Sequence, residues 1–435
     1  MKCNGSNVAK VIFNGNECHK VIYNGALAWQ KSGQPIIDVP LYTFGVLSDT
    51  HIYLGADDTT NSVADLANAI AYYNGRGCKL MCHCGDITQN GTDAEFAKYV
   101  ELREANRGIM QVFETTGNHE ASSGRTYKSD IDNPQCIAYY IHDKIGRHQC
   151  YYIENGRYVY WDIDAENYTT ETANNVVIED PSIELPSSDV FLFVGILGDK
   201  NNGIFWEGQM QWIYNVLESH KDKRIFVFEH CRAERAEGYS GGNITNDLYK
   251  DYVSGNPTGG YKKPLWGQAD NGGDVGLLFR TMESLFAHYT NCVWFHGHTH
   301  MVAETELAEQ VAARQIANVD KYFGNAYNAK NLAASANNTR WTWSIHIPSC
   351  AYPRVADETG TAIEEIDGRS QGAIVEVYKD RIVINYIDFA QIESDGSVTY
   401  GNKIVEGVTH SLDTRIDAIG AYTPPIVGGR SLIER

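Results

Sequence analysis

From residue 41 onward, apolar segments of strand length alternate with amphipathic segments of helix length. The first of these are predicted strands at 43–47, 79–84 and 110–114 and predicted helices at 62–73 and 93–107. Alternation of this kind favours a layered α/β fold that contains parallel strands. In such folds the functional groups lie on loops that follow the carboxyl ends of the strands. The pattern therefore restricts both the architecture and the place where a site is expected.

The second half of the chain continues the pattern less regularly. Further strands are predicted at 158–163, 190–197, 224–228 and 292–295, a helix at 209–219, and a final hairpin at 372–378 and 381–387. The segment 232–274 is rich in Gly, Asn and Tyr, and an Asn-rich stretch to Asn338 follows a predicted helix at 303–319. Loops of this length are usually functional or disordered. Residues 391–435 are expected to form a C-terminal extension without a clear pattern.

The first 32 residues contain a short repeat. Asn-Gly pairs recur at a spacing of ten residues, at Asn4-Gly5, Asn14-Gly15 and Asn24-Gly25. Because both residues tolerate positive φ, such pairs favour tight hairpin turns, and the segment 1–32 is predicted to be a small β-meander. The meander could pack on its own chain or serve as an attachment module. It resembles short N-terminal repeats of bacteriophage structural proteins. A linker would join it to the main domain, 41–390.

The composition limits the partners of the protein. A formal net charge of −19 and a pI of about 5.1 disfavour sequence-independent binding to nucleic acid, which requires clustered Lys and Arg. The N-terminus has no apolar signal-peptide core, and the longest apolar stretch, 190–197, is too short to cross a bilayer. Ten cysteines show no pairing pattern and are expected to be reduced. The predicted location is therefore cytoplasmic or virion-associated, with no membrane partner.

Polar motifs follow the predicted strands in order. They are Asp49-x-His51, Gly85-Asp86, Gly117-Asn118-His119-Glu120, His230 and Gly297-His298-Thr299-His300. Most of these would be unremarkable loop or core residues if they occurred alone. Together they place two aspartates, one asparagine and four or five histidines at strand ends that converge on one sheet edge. Mixed imidazole and carboxylate ligation suits zinc, iron and manganese. Two such metals, about 3.5–4 Å apart, can activate a bridging hydroxide as a nucleophile.

The order and content of these motifs resemble the calcineurin-like metallophosphoesterase family. The resemblance extends over about residues 41–389, and the segments 208–212 and 372–377 also fit the family pattern. It implies a four-layer α/β/β/α sandwich, in which two mixed sheets pack together and helices flank them. It also implies a dinuclear metal centre that hydrolyses a phosphate ester.

The resemblance assigns roles to individual residues. Asp49, His51 and His300 would hold the first metal, and Asn118, His230 and His298 would hold the second. Asp86 would bridge the two metals. His119 would contact the phosphate and help to protonate the leaving group. The metals could be manganese, zinc or iron, because this ligand set does not choose among them.

Three further residues are candidate substrate contacts. Arg232 and Arg354 could clamp a phosphate, or each could form an ordinary surface ion pair. His296 lies outside the family's ligand set, and it could support the ligands from behind or belong to the core.

The function expected from the sequence is metal-dependent hydrolysis of a phosphate ester by a metal-bridging hydroxide, with diesters favoured over monoesters. The alternative is a phage or prophage virion-associated protein that binds or trims a phosphate-containing surface polymer. In that case the N-terminal repeat would anchor the chain to a protein partner. A third hypothesis is a scaffold whose metals are only structural, but such a protein has no need of an open site.

Overall fold

A computed structural model describes most of the predicted domain. The described residues are short strands between 2 and 30, followed by 39–56, 60–121, 137–161, 175–195, 204–205, 207–230, 266–267, 291–298, 300–305, 319–321, 343–356, 363–366 and 368–414. The predicted loop 232–274 lies outside these residues except for a two-residue strand, and so does most of the predicted helix 303–319.

The N-terminal segment forms three hairpins. Their strands are β1 (Lys2–Cys3), β2 (Ser6–Asn7), β3 (Val11–Phe13), β4 (Asn16–Cys18), β5 (Lys20–Tyr23) and β6 (Ala26–Gln30). Each consecutive pair forms a two-stranded antiparallel sheet. One Asn-Gly pair lies between the two strands of each hairpin, which is where the repeat predicts a turn.

The remaining strands run from residue 42 to residue 413. They are β7 (Tyr42–Leu47), β8 (Leu80–His83), β9 (Gln111–Glu114), β10 (Cys150–Glu154), β11 (Arg157–Trp161), β12 (Asn175–Glu179), β13 (Asp189–Val194), β14 (Ile204–Phe205), β15 (Arg224–Phe228), β16 (Trp266–Gly267), β17 (Cys292–His296), β18 (Val319–Lys321), β19 (Trp343–His346), β20 (Arg354–Ala356), β21 (Ile363–Glu365), β22 (Ser370–Val377), β23 (Arg381–Ile392), β24 (Val398–Thr399), β25 (Lys403–Ile404) and β26 (His410–Asp413). The α-helices are α1 (Ser62–Gly75), α2 (Asp93–Asn106), α3 (Ile137–Ile145) and α4 (Glu207–Ser219). Short 3-10 helices cover His119–Ala121 and Ala303–Thr305.

Two eight-stranded mixed sheets organise the domain. Sheet A has the order β24-β23-β22-β7-β8-β9, and β25 and β26 also pair with β23. Sheet B has the order β12-β11-β10-β13-β15-β17-β19-β18. In sheet A the pairs β7–β8 and β8–β9 are parallel. In sheet B the consecutive pairs from β13 to β19 are parallel, while the outer strands are antiparallel.

The two sheets pack face to face through aromatic side chains. Phe44 of β7 meets Phe191 and Phe226 of sheet B edge to face, with ring centroids 5.1 and 5.2 Å apart. Phe228 and Phe295 extend this layer as a stacked pair 5.2 Å apart. These rings are fully buried, and their geometry is the offset or perpendicular one that aromatic quadrupoles prefer.

Helices cover the outer faces of both sheets. Tyr73 of α1 lies against sheet A, where its hydroxyl is 2.9 Å from the carbonyl of Val46 and 2.8 Å from that of Ala373. A side chain at Gly45 would come within 2.5 Å of the Tyr73 ring, so glycine allows this helix to approach closely. Trp212 of α4 is fully buried in a hydrophobic cluster that also contains residues of β13 and β15 in sheet B. The four layers α/β/β/α confirm the predicted fold.

Several elements depart from the sequence prediction. The strand β10, the helix α3 and the strand β19 were not predicted, although β10 and β19 lie inside sheet B. The predicted helix 303–319 is wrong at its described ends, which form a 3-10 turn and the strand β18. The C-terminal residues 398–413, for which no structure was predicted, supply three short strands that pair with β23. The division of the chain at residue 390 stays a prediction.

In the part of the chain that the structure describes, no helix combines the length and the apolar character needed to cross a membrane. Six of the cysteines within the described ranges are buried: Cys78, Cys82, Cys84, Cys150, Cys292 and Cys350.

Candidate metal centre

The predicted ligands converge at the carboxyl ends of the parallel strands. Asp49 and His51 follow β7, and Asp86 follows β8. In the other sheet, His230 follows β15, and His298 and His300 follow β17. Because parallel strands end at the same edge, these loops meet above the interface between the two sheets. Backbone hydrogen bonds join the loops, including one from the amide of Asp49 to the carbonyl of Gly85, 3.0 Å long.

The backbone at five of these residues is left-handed. Asp49, His51, Asp86, His298 and His300 have φ angles of 53°, 39°, 52°, 71° and 60°. Among the described residues only two other non-glycine positions have positive φ. Asp and His tolerate this region better than most side chains, although it costs free energy relative to an ordinary loop. This backbone conformation directs the five side chains inward, toward a common centre.

Glycines let these loops approach one another. A Cβ atom at Gly117 would lie 2.1 Å from Oδ1 of Asp86, and one at Gly297 would lie 2.2 Å from Oδ2 of Asp49. Any side chain at either position would therefore displace a carboxylate. The glycines in the motifs Gly-Asn-His-Glu and Gly-His-Thr-His are required by this packing.

The first ligand group contains Asp49, His51, Asp86 and His300, whose ligand atoms lie within 4.8 Å of one another. Nε2 of His300 is 3.0 Å from Oδ1 of Asp49. Nε2 of His51 is 3.7 Å from Oδ1 of Asp49 and 3.7 Å from Oδ2 of Asp86. All four side chains are buried. The four side chains thus bring their ligand atoms together in one small volume.

The second ligand group contains Asp86, His230 and His298, again with ligand atoms within 4.8 Å. Nε2 of His230 is 3.0 Å from Oδ2 of Asp86 and 3.1 Å from Nδ1 of His298. Asp86 belongs to both groups. Its carboxylate is therefore the one ligand that the two groups share. Asn118 lines the cavity beside this group.

The protonation states fit a cation site. Burial raises the pKa of the Asp49 and Asp86 carboxyls, but the nearby imidazoles prevail and hold both pKa values well below the usual range. Burial lowers the pKa of His51 to about 3 and also lowers that of His300. The group therefore offers ionised carboxylates and neutral imidazoles, which are the forms that ligate metals.

His230 differs from its neighbours. Burial lowers its pKa, but the carboxylates of Asp86 and Asp49 outweigh burial and raise the pKa to about 9. Two buried carboxylates thus draw a proton onto the imidazole in the absence of another cation. A metal in contact with Nε2 would replace that proton as the compensating positive charge. The donor set of this centre, two carboxylates and several imidazoles, fits two transition-metal ions.

His119 lies next to the ligands but outside both groups. Its backbone amide donates to Oδ1 of Asp86 over 2.8 Å, and its Nδ1 is 2.7 Å from the carbonyl of Gln89. Its ring meets the ring of His51 edge to face, with centroids 4.6 Å apart. Burial lowers its pKa, but the Asp86 carboxylate and the Gln89 carbonyl outweigh burial, so the net pKa is raised.

Glu120 organises the loop that carries Asp86. Its carboxylate accepts hydrogen bonds from the amides of Asp86, Thr88 and Gly117, at 3.1, 3.0 and 2.6 Å. Burial and the charge of Asp86 raise its pKa to about 7. Because the carboxylate bonds to backbone amides of this loop, Glu120 holds the loop in its conformation.

A cavity of about 480 Å³ opens onto both ligand groups. Its lining consists of His51, Tyr53, Thr60, Asp86, Gln89, Asn90, Asn118, His119, His298, His300, Tyr352, Arg354 and Glu365. The room beyond the ligands is sufficient for a phosphate group and part of an ester. The lining is mostly polar, so recognition depends on hydrogen bonds and charge.

The three candidate substrate contacts have different positions. Arg354 lines the cavity and pairs with Glu365, with 2.7 Å between Nη2 and Oε1. His296 is buried at the end of β17 beside His346, with ring centroids 5.7 Å apart, and it is not part of the cavity lining. Arg232 lies outside the described residues.

Other lining residues were not predicted from the sequence. The ring of Tyr352 packs on His51 and His300, with centroids 4.7 and 4.5 Å away. Its hydroxyl donates to Oε1 of Gln89 over 3.3 Å. A signal existed for Tyr352, because it lies two residues before Arg354 on the loop after β19. No sequence motif pointed to Glu365, because it reaches the cavity only through the pairing of β21 with β20.

Comparisons with known proteins agree with this site. The family model of the calcineurin-like phosphoesterases matches residues 42–302, which is more than half of the 435 residues. A search of curated proteins finds no match.

Two solved structures are similar to the chain at low identity. A dimetal phosphatase from Danio rerio is 12% identical, with a TM-score of 0.42 over 86% of this chain and 99% of that one. The purple acid phosphatase PPD1 from yellow lupin (Lupinus luteus) seeds is 12% identical, with a TM-score of 0.45 over 87% of this chain and 55% of that one. The family match spans the strands and loops that carry all the ligands from Asp49 to His300. The chain therefore belongs to the calcineurin-like phosphoesterase family, and it is a metal-dependent phosphoesterase.

Proposed function

We propose that the protein hydrolyses a phosphodiester at a centre that holds two metal ions, which are manganese, zinc or iron. The observation that carries this proposal is the position of Asp86, whose carboxylate belongs to both ligand groups. Asp49, His51 and His300 complete one metal site, and His230, His298 and Asn118 complete the other. When bound, the metals supply an acidified water molecule as the nucleophile and neutralise the phosphate oxygens.

The residues of the chain provide orientation and a proton. The left-handed backbone and the close glycines fix the carboxylates before substrate arrives, so that binding requires little rearrangement. Gln89 holds His119 through Nδ1, and His119 lines the cavity, where its Nε2 atom would face the substrate. From that atom a proton can pass to the leaving oxygen as the ester bond breaks.

The preference for a diester is supported by the charge of the cavity. Among the described residues of the lining, Arg354 is the single Lys or Arg side chain. A monoester carries about −1.5 to −2 charges at neutral pH, whereas a diester carries one. Apart from the metals, the lining side chains therefore offer little positive charge to compensate the second negative charge of a monoester.

The test is hydrolysis of p-nitrophenyl phosphate and bis-p-nitrophenyl phosphate by the pure protein, with Mn²⁺ and with a chelator. We expect metal-dependent cleavage that is faster for the diester. Asp86→Asn should abolish turnover, because a neutral amide cannot bridge two cations as a carboxylate does, while the far-ultraviolet circular dichroism stays unchanged.

Asp380→Asn is the matched control, since this exposed aspartate lies in the turn between β22 and β23. It should retain full activity. Unimpaired hydrolysis by Asp86→Asn would contradict the mechanism. Faster cleavage of the monoester would contradict the diester preference and leave the metal mechanism in place.

We also propose a second function, supported by the three N-terminal hairpins. Their regular ten-residue spacing and Asn-Gly pairs indicate a module that attaches the phosphoesterase to a virion or another assembly, where it would bind or trim a phosphate-containing surface polymer. Deletion of residues 1–32 should then abolish the association with the assembly and leave hydrolysis of small esters intact. Unchanged association after the deletion would exclude the attachment role.

A further inference from the structure

One ion pair stands at the rim of the cavity and is not used by the proposed hydrolysis. Arg354 on β20 and Glu365 on β21 are direct partners in the antiparallel register. Nη2 and Nε of Arg354 lie 2.7 and 3.3 Å from Oε1 of Glu365. Directly opposed residues of a hairpin have close Cβ atoms, so the strand pairing itself keeps the two charges together.

The backbone of Arg354 is attached to the metal-binding loop. Its amide donates to the carbonyl of His300 over 2.7 Å, and its carbonyl accepts from the amide of Val302 over 2.9 Å. Its guanidinium carbon lies 5.6 Å from the centre of the Tyr352 ring, which itself packs on His300. The ion pair is therefore fixed beside the first ligand group, where its charges would interact with a bound phosphate.

The pair changes the electrostatic balance of the cavity. Arg354 alone would add one positive charge and favour a doubly charged phosphate. Glu365 lines the same cavity and cancels that charge. It also places a carboxylate where it would repel a second negative charge on the ligand.

We propose that Glu365, acting through its ion pair with Arg354, selects phosphate groups that carry one negative charge over those that carry two. The selected substrates are phosphodiesters, and the rejected ones are phosphomonoesters. This inference rests on the proposed function, because it assumes that the phosphate binds at the two ligand groups. Glu365 is thus a specificity-determining residue that has no part in the bond-breaking step.

The exposure of the pair makes it accessible to mutation. The side chains of Arg354 and Glu365 are 26% and 51% exposed. Exposed ion pairs contribute little to folding, so their replacement should leave the domain intact. Glu365→Gln is the sharpest change, because the amide oxygen can still accept from Arg354 while the negative charge is lost. Arg354→Met keeps the aliphatic stem and removes the positive charge.

The experiment measures binding rather than turnover. Isothermal titration calorimetry of the metal-loaded protein gives the affinity for inorganic phosphate, mostly dianionic at mildly alkaline pH, and for diethyl phosphate, a monoanion. The proteins are the wild type, Glu365→Gln, Arg354→Met and the double variant. Glu101→Gln is the control, because it removes the charge of an exposed ion pair with Lys98 on α2.

We expect Glu365→Gln to strengthen phosphate binding by about tenfold and diethyl phosphate binding by less than threefold. In the Arg354→Met background Glu365→Gln should have a smaller effect. The guanidinium, whose positive charge Glu365 otherwise cancels, is then absent. Glu101→Gln should change neither affinity. Equal changes for the two ligands, or no change for either, would overturn the proposal.

The wild-type hydrolysis assay separates this inference from the proposed function. If the wild type cleaves diesters but Glu365→Gln binds both ligands as the wild type does, only the selector role fails. If the wild type cleaves neither ester while Glu365→Gln binds phosphate about tenfold more tightly, the selector role holds and the hydrolytic function fails.

Discussion

The hydrogen bond between His119 and Gln89 determines where a proton lies on the imidazole. A carbonyl oxygen can only accept, so the Nδ1 atom that lies 2.7 Å from it must carry the hydrogen. The remaining nitrogen, Nε2, is then the atom that exchanges protons with a substrate.

A proton donor accelerates hydrolysis most when the leaving group would otherwise depart as an unstable anion. We therefore expect His119→Gln to lower kcat/KM by about 10²–10⁴-fold for alkyl esters. The loss should be much smaller for p-nitrophenyl esters, whose leaving anion is already stable. Rates over a series of esters with different leaving-group pKa values test this. His142→Gln, at an exposed histidine of α3, is the control. An equal loss for all esters would contradict the proton-donor role.

The close contact between Gly117 and Asp86 gives a second prediction. A Cβ at Gly117 would lie 2.1 Å from Oδ1 of Asp86, so Gly117→Ala must displace the bridging carboxylate. We expect the variant to bind fewer than two metals per chain and to lose most of its activity. Metal analysis of the dialysed protein provides the measurement.

Gly75→Ala is the matched control for Gly117→Ala. Gly75 ends α1, and an added Cβ there has no atom within 4 Å. This variant should keep its metals and full activity. Two tightly bound metals in Gly117→Ala would show that the loop can move without loss of the centre.

At this scale the motif residues were predictable, whereas their neighbours in the cavity were not. Asp49, His51, Asp86 and His300 belong to short patterns that follow strands. These patterns indicated a site only when they were taken together, and the family resemblance assigned the roles of the residues. Glu365 comes from a hairpin that no local signal predicted. Its place in the cavity depends on the register of β20 against β21, which a single sequence does not reveal.

The secondary-structure elements show a similar contrast. The helices α1 and α2 begin at the predicted residues, and the start of α2 has a physical cause. The side chain of Thr92 accepts from the amide of Glu95, and the side chain of Glu95 accepts from the amide of Thr92 in return. The strand β10 was not predicted, although all five of its residues are buried. Its run of Cys, Tyr and Ile has no alternation of polar and apolar residues, so it gives no strand period.

A buried ion pair joins elements that are distant in sequence. Arg224 of β15 bonds to Asp189 of β13, with 2.7 Å between Nη2 and Oδ2. Its Nη1 also donates to the carbonyl of Tyr378 and the hydroxyl of Thr414, at 2.9 and 3.0 Å. Tyr42 of β7 donates to the same Asp189 over 2.7 Å. The pair therefore connects both sheets and the last described residue.

Loss of one partner would leave the other charge buried. We expect Arg224→Met to lower the free energy of unfolding by about 3–5 kcal/mol. Urea denaturation followed by tryptophan fluorescence measures this change.

Lys98→Met is the control for Arg224→Met, because it breaks an exposed pair on α2 and should cost less than about 1 kcal/mol. A loss below about 1 kcal/mol for Arg224→Met would show that the domain does not depend on this connection.

For the whole molecule, the sequence predicted the layers but not the order of the strands. The repeated strand–helix pattern indicated an α/β fold, and the family resemblance implied two sheets. No structure was predicted for the tail, yet β26 pairs with β23 over four residues. Such pairing between distant segments depends on which sheet edge remains open after the others have formed, and local pattern does not contain that information.

The metal centre connects the two sheets, so metal binding should stabilise the entire domain. A ligand that binds only the folded state adds about 4.1 kcal/mol when its concentration is 1,000 times its dissociation constant. We expect Mn²⁺ to raise the melting temperature by several degrees, and a chelator to lower it. Differential scanning calorimetry measures both shifts. Asp86→Asn should respond much less, and an equal response would show that the stabilising metal binds elsewhere.

The left-handed backbone at Asp49, His51, Asp86, His298 and His300 also limits how such a centre can change over evolutionary time. That region of φ and ψ is open to Asp, Asn, His and Gly, while longer or branched side chains are strained there. A codon change to Glu or Cys would incur backbone strain in addition to any change in ligand chemistry. Descendants of this protein can therefore exchange imidazole, short carboxylate and amide donors with least difficulty. Adaptation to metals that prefer thiolates would require the loops to be rebuilt before the ligands are replaced.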